Sequence, residues 1–204
     1  MKKGILLVVS APSAGGKGTI LKELFQQNET LRMSVSATTR QPRPGEVDGK
    51  DYYFVSRETF QQWVDTGSML EHAEYVGNYY GTSLKVIREK LDRGIDVLLD
   101  IEVQGAAKVR ERCPEAVLIF LIPPSLEELS RRLHRRNTDE EAAIQRRLEK
   151  ARQECRECVH YDYLVVNDTV MNAAQEIQSI LQAEQCRTQK RIGLAQGIIG
   201  PQAN

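Results

Sequence analysis

Residues 5 to 9 of this chain read Ile-Leu-Leu-Val-Val, and Ser10-Ala11-Pro12-Ser13-Ala14-Gly15-Gly16-Lys17-Gly18-Thr19 follows at once. Five successive apolar residues leave no polar face, so a strand built from them must be covered on both sides, as inside a parallel sheet flanked by helices. From Gly18 to Gln27 the apolar residues adopt a helical spacing through Ile20, Leu21, Leu24 and Phe25. A loop of small residues therefore joins a buried strand to a helix N-terminus. The N–H groups of such a loop converge, the helix dipole adds partial positive charge and Lys17 adds a full one, so the stretch predicts a phosphate site. The pattern G-x-x-x-x-G-K-[ST] is met only in part. Ala11 stands at the first glycine, Gly18 at the hydroxyl position that contacts magnesium, and Thr19 follows one residue late.

A length of 204 residues suits one folding unit with small insertions rather than several independent domains. The 28 basic and 28 acidic residues balance, which argues against the broad positive field of a protein that grips long nucleic acid and is compatible with a compact anionic ligand. Met1-Lys2-Lys3 is basic like a leader peptide, but the apolar run after it passes into the glycine loop instead of a cleavage site. No run is long enough to span a bilayer, so the expectation is a soluble, cytoplasmic protein without a membrane partner. Of the four cysteines, Cys113, Cys155, Cys158 and Cys186, only Cys155 and Cys158 are closely spaced, and they read as reduced helix cysteines one turn apart rather than zinc ligands.

Further along, Met33–Ser36 reads as a short second strand, and residues 37–46 read as a loop, because Pro42, Pro44 and Gly45 forbid continued helix or central strand. Tyr52–Val55, Met69–Val76 and Asn78–Thr82 have β character, with a helix over 57–65 between the first two. The stretch 37–82 thus reads as a mixed β insertion in an otherwise alternating strand-and-helix chain. A helix over 83–93 ends at Gly94. The strand 96–102 then carries Asp100 and Glu102 at the carboxyl end, where open parallel sheets bind ligands. Helix 103–112 and strand 116–122 follow. Ser125-Leu126-Glu127-Glu128 and Thr138-Asp139-Glu140-Glu141 are capping boxes for helices to about 135 and 158, which form an arginine-bearing hairpin able to swing as a lid. Strand 163–166 and a long helix over 170–189 complete the pattern, with a frayed tail through Gly193, Gly197 and Pro201.

The stretch Thr38-Thr39-Arg40-x-x-Arg43-x-x-Glu46-x-x-Gly49-x-x-Tyr52-x-Phe54 matches the signature of the guanylate kinases at every specified position. With Gly16-Lys17, with Gly77-Asn78-Tyr79-Tyr80-Gly81-Thr82 and with Leu99-Asp100-Ile101-Glu102-Val103-Gln104-Gly105, the chain resembles a bacterial guanylate kinase from residue 4 to about 186. The resemblance implies an α/β fold of the P-loop NTPase kind: a parallel five-stranded sheet with helices on both faces, a small mixed β GMP-binding insertion and a helical lid. On this sequence the core is 1–36, 83–124 and 159–204, the insertion 37–82 and the lid 125–158. It further implies transfer of the γ-phosphoryl group of ATP to GMP, with Mg2+ held mainly by phosphates and water.

By the same resemblance, Ala11, Pro12, Ser13, Ala14, Gly15, Gly16, Lys17, Gly18, Thr19 and Asn167 contact ATP, with Asn167 beside the adenine. Ser36, Arg40, Arg43, Glu46, Tyr52, Glu71, Tyr80, Thr82, Asp100 and Glu102 form the GMP site. Lys17, Arg43, Asp100, Arg132, Arg136 and Arg147 carry the catalytic roles. Side-chain chemistry agrees, since Arg40 and Arg43 can fork onto a phosphate while Tyr52 and Tyr80 donate to it. The chain departs from the family at Glu102, where Asp is commoner, at Ala14-Gly15, which forces Ala14 to avoid positive φ or accept strain, and at Gly18. The partners implied are ATP and GMP, without nucleic acid or membrane, and a homo-oligomer is compatible with the sequence. The rival reading is a non-catalytic guanylate-kinase-like interaction module; a kinase for another monophosphate such as AMP would not need the carboxylate of Glu71.

Overall fold

The computed structural model describes residues 3–135 and 141–199. The apolar run forms β1 (Leu6–Ser10), buried at every position and flanked on both sides by parallel partners. The full sheet adds β2 (Leu31–Met33), β7 (Asp96–Asp100), β8 (Val117–Ile122) and β9 (Tyr163–Val166), in the order β2-β7-β1-β8-β9. All its strands run parallel, which forces every connection to cross a face and explains why helical segments separate them. One face is covered by α1 (Lys17–Gln27) and α7 (Val170–Gln185), whose Leu24 and Ile177 pack with Leu7 and Ile119. The other is covered by α3 (Leu84–Asp92) and α4 (Val103–Arg112), whose Ile87 and Val109 pack with Val8 and Leu118.

A second, four-stranded sheet contains β3 (Ala37–Thr38), β4 (Tyr53–Phe54), β5 (Met69–Tyr75) and β6 (Asn78–Ser83) in the order β4-β3-β6-β5. Its small core joins Ala37 and Met69 to Phe60 of α2 (Arg57–Asp65), a helix capped by the Ser56 side chain, which accepts from the Thr59 N–H. Two sequence readings change here. The second strand ends at Met33 instead of beginning there; Ser34 still donates to the Leu98 carbonyl at 2.8 Å before the chain leaves the first sheet. Ala37 and Thr38, read as loop, sit in the middle of the second sheet. The fully buried Thr38 hydroxyl donates to the Tyr79 carbonyl, so a strand of two residues is fixed by its neighbours rather than by its own pattern.

The arginine-rich segment supplies α5 (Leu126–Arg135) and α6 (Glu141–Arg156), which bury Leu129, Leu133, Ile144, Leu148 and Ala151 against each other. Of the first capping box, the Glu128 N–H donates to the Ser125 hydroxyl, but the Glu128 carboxylate turns to Arg131 and Arg132 instead of reaching back. Most of the second box, together with Asn137 and Arg136, lies outside the described residues. Helix α6 stops at Arg156 and gives way to a 3-10 turn over Glu157–His160, so Cys155 and Cys158 are not on one continuous α-helix; all four cysteines are free. The last helix is also split. Helix α7 ends at Gln185, and the expected tail is α8 (Thr188–Ile199), which buries no residue, contains Gly193 and Gly197, and is tied back by an Arg191 Nε bond to the Gln185 carbonyl.

Candidate functional site

The phosphate loop is held open at the carboxyl end of β1 by contacts from distant elements. Gly16 caps α1 at φ 86°, and a Cβ there would lie 2.4 Å from the Asn167 side chain. Asn167, 3% exposed, donates from Nδ2 to the Gly15 carbonyl at 2.6 Å, and its own carbonyl accepts from Arg132. In this structure the Asn167 side chain is engaged with the loop itself. Ala14 adopts φ 63°, the left-handed conformation that an alanine enters only under strain, and its methyl packs against the α5/α6 cluster.

Lys17 projects across the strand ends. Its Nζ lies 2.6 Å from Asp100 Oδ1 and 3.0 Å from the Ile101 carbonyl, which joins the first turn of α1 to the end of β7. The structure therefore brings Lys17 and Asp100 together as the strand-end argument requires. Glu102 begins α4 without a side-chain cap bond and lines a cavity with Gln153 and Glu154 of α6. Gly18 and Thr19 are exposed on the first turn, while Ala11 and Pro12 are buried beneath the loop and Ser13 is half-buried. On the opposite side of the loop, a cavity of about 510 Å³ lies between Gly16, Asp168 and the α5 side chains Arg131, Arg132 and Arg135. Glu128 orients two of these arginines, and the Arg132 and Arg131 bonds hold its carboxyl below the usual range. Arg147 of α6 reaches the loop directly, donating from Nε to the Ser13 hydroxyl at 3.2 Å.

The second sheet gathers the other candidates in two groups. Arg40 forks onto Glu46 at 2.9 and 3.0 Å and lies over the rings of Tyr52 and Phe54 at 5.4 and 5.8 Å from their centroids. The hydrogen bond from Arg40, followed by the Arg43 N–H at 2.7 Å, lowers the Glu46 pKa, and Tyr80 packs edge-on against Tyr52. Glu46 thereby fixes both arginines, one by its side chain and the other by its backbone, and the Arg43 side chain is left at the exposed surface. Ser36 stands just before β3, its carbonyl accepting the Tyr53 N–H. In the second group Glu71 accepts from the Thr82 hydroxyl at 2.7 Å, and burial pushes its carboxyl pKa up. Thr82 is thus a donor to Glu71 in this structure.

Sequence reasoning missed Asn167 as a loop support, Glu128 as an arginine holder and Glu154, whose carboxylate accepts the Ser13 N–H. The only signal for Glu154 is its spacing of seven from Arg147, two helical turns on one face. Arg136 lies outside the described residues. Comparison with known proteins agrees with the geometry. The guanylate kinase family model matches residues 3–184. The chain is 52% identical to the guanylate kinase of Streptococcus thermophilus (strain CNRZ 1066) over 193 residues, covering 94% of this chain and 92% of that one. It is 49% identical to that of Desulfitobacterium hafniense (strain Y51) over 195 residues, covering 96% and 98%. The crystal structure of guanylate kinase from Anaplasma phagocytophilum superposes with a TM-score of 0.71 at 40% identity, covering 96% of this chain and 94% of that one. With a family model matched over nearly its whole length and relatives about half identical end to end, this chain belongs to the guanylate kinase family.

Proposed function

We propose that Lys17, the loop N–H groups and the arginines of α5 and α6 hold ATP, that the second sheet holds GMP, and that the γ-phosphoryl group passes between them to give ADP and GDP. The observation that carries this is the Lys17–Asp100 contact at 2.6 Å, which sets a loop cation at the carboxyl ends of the parallel strands. A docking module of the same fold would have no need of this cation or of arginines ranged beside the loop. The acceptor phosphate is already an anion at neutral pH, so no general base is needed, and catalysis is alignment plus charge. Arg43, with Arg40 fixed beside it by Glu46, receives the acceptor phosphate together with the Tyr52 and Tyr80 hydroxyls. Glu71 in its carboxylate form accepts guanine N1–H and the exocyclic amine; Thr82 turns from Glu71 to the guanine O6 when the base enters.

Segments 37–82 and 125–158 act in this reading as GMP-binding and lid units on the core. Magnesium fits the chemistry of the strand-end oxygens: Asp100 and Glu102 offer carboxylates to its water shell and Gly18 offers nothing, so phosphate oxygens and water would hold it. When bound, it neutralises charge on the β- and γ-oxygens. The reading carries with it work in the cytoplasm. Among the described residues no helix is long and apolar enough to cross a membrane. Turnover of GMP, dGMP, AMP and UMP with ATP and magnesium, followed by ADP release, tests the proposal. GMP should exceed AMP by about 10⁴-fold in kcat/KM, whereas equal use of the two purines, or no turnover of either, would overturn it.

A further inference from the structure

Helix α6 touches the phosphate loop twice at a single residue. Ser13 donates its backbone N–H to Glu154 Oε2 at 2.9 Å, and its hydroxyl accepts from Arg147 Nε at 3.2 Å. Glu154 and Arg147 lie seven residues apart on one helix face, and Lys150 between them pairs with the other Glu154 oxygen at 3.3 Å. The Glu154 side chain is only 12% exposed, so the carboxylate has surrendered most of its water to be here. The next loop residue, Ala14, rests its methyl on the same helical pair. An N–H can satisfy a carboxylate or a phosphate, so Glu154 could act either as a support or as an occupant that ATP must displace. Position decides between them. The charge centre for a phosphate is Lys17, and its ammonium is engaged by Asp100 and the Ile101 carbonyl; Glu154 instead sits at Ser13, beside the arginine of its own helix.

We infer that Glu154 is a positioning residue for phosphoryl transfer: by fixing the Ser13 N–H it sets the phosphate loop and Arg147 in one relation, so that both meet the transferring group together. This rests on the loop being the ATP site. The requirement is for an acceptor oxygen at that reach, not for charge. Glu154→Gln keeps such an oxygen, Glu154→Asp draws it back by one methylene, and Glu154→Ala removes it.

Steady-state kinetics of these full-length variants and the wild type, with ATP, magnesium and GMP, read the effect directly. Glu154→Gln should stay within about 3-fold of wild-type kcat, Glu154→Asp should fall about 10-fold, and Glu154→Ala about 10- to 100-fold, with KM for GMP unchanged in all. If Glu154→Ala does not fold, the contrast between Gln and Asp decides alone, and Asp turning over as fast as Gln would overturn the inference. So would a lowered KM for ATP with kcat kept or raised, the mark of an occupant removed. Wild-type turnover with all variants equal to it defeats the Glu154 role only, whereas absent wild-type turnover defeats the ATP-site reading and this inference with it.

Discussion

Replacing Glu71 by Gln should move binding and stability in opposite directions. In the structure the carboxylate is largely enclosed, its pKa is raised chiefly by lost hydration, and the Thr82 hydroxyl occupies one of its acceptor positions. An ionised carboxylate has about four acceptor positions, and with Thr82 turned to O6 these are open to the two guanine donors. Each charge-assisted hydrogen bond contributes about 1.5–3 kcal/mol, and Gln keeps one acceptor oxygen while turning an amine toward the second guanine donor. The net loss is therefore about 3 kcal/mol, or roughly 10²-fold in kcat/KM for GMP, with KM for ATP unchanged. The raised pKa means that the folded state holds the Glu71 proton more tightly than the unfolded chain does. Its contribution to stability is complete below the unfolded value and is lost as pH rises through the folded one. At pH above the folded value Glu71 thus costs stability, and there Glu71→Gln should melt no lower than wild type. Activity runs the other way: KM for GMP should rise as pH falls through the raised Glu71 value, above the ordinary carboxylate range. GMP's own phosphate titrates near pH 6, so the limb belonging to Glu71 is the one that disappears in Glu71→Gln. A variant that melts lower at pH above the folded value and loses GMP and AMP turnover equally would make Glu71 a structural residue and refute the reasoning.

Lys17→Met should lower kcat by roughly 10²-fold with little change in GMP affinity, because charge on the bridging and γ-oxygens grows only in the transition state; near-normal turnover removes the loop from the chemistry. Arg43→Lys keeps charge but loses the planar fork, and both KM for GMP and kcat should worsen about 10-fold. An effect confined to ATP would assign the second sheet to the other nucleotide. Asn167→Ala leaves the Gly15 carbonyl without its donor at a buried site, a cost of about 1–3 kcal/mol. It should raise KM for ATP and spare KM for GMP, and a flat ATP constant would show that the loop holds its shape without the amide.

What can be read from a sequence like this is local. The strand, loop and first helix are legible because five apolar residues and a 3.6-residue spacing abut a glycine-rich break, and the bounds of α2, α4 and β9 fall where the pattern places them. The two-residue strand Ala37–Thr38 has too few positions to show a period, and its identity comes from Tyr53 and Tyr80 beside it. Helix α8 has no apolar stripe to announce it because it buries nothing. The GMP-side candidates are legible only through the signature, not through spacing. The loop bonds made by Glu154 and Asn167 are not legible in the pattern, since these residues reach the loop from 141 and 152 residues away and no local pattern records such a distance.

The sheet order has a consequence for how the protein is made. Strand β1 emerges first, yet its neighbours in the sheet begin with Leu6 opposite Val97 and Leu7 opposite Val117. At about 5–20 residues per second, the ribosome leaves roughly 6–20 s between synthesis of Leu7 and of its second partner. A run of five apolar residues waits with both backbone edges unpaired until Val97 is made, and with one edge unpaired until Val117, which is the kind of segment that chaperones bind and that other nascent chains can pair with. Fragments released before residue 117 retain that liability permanently. The first strand is thus an aggregation hazard until β8 has been translated, and the loop after it gains its Gly15 bond only when Asn167 follows.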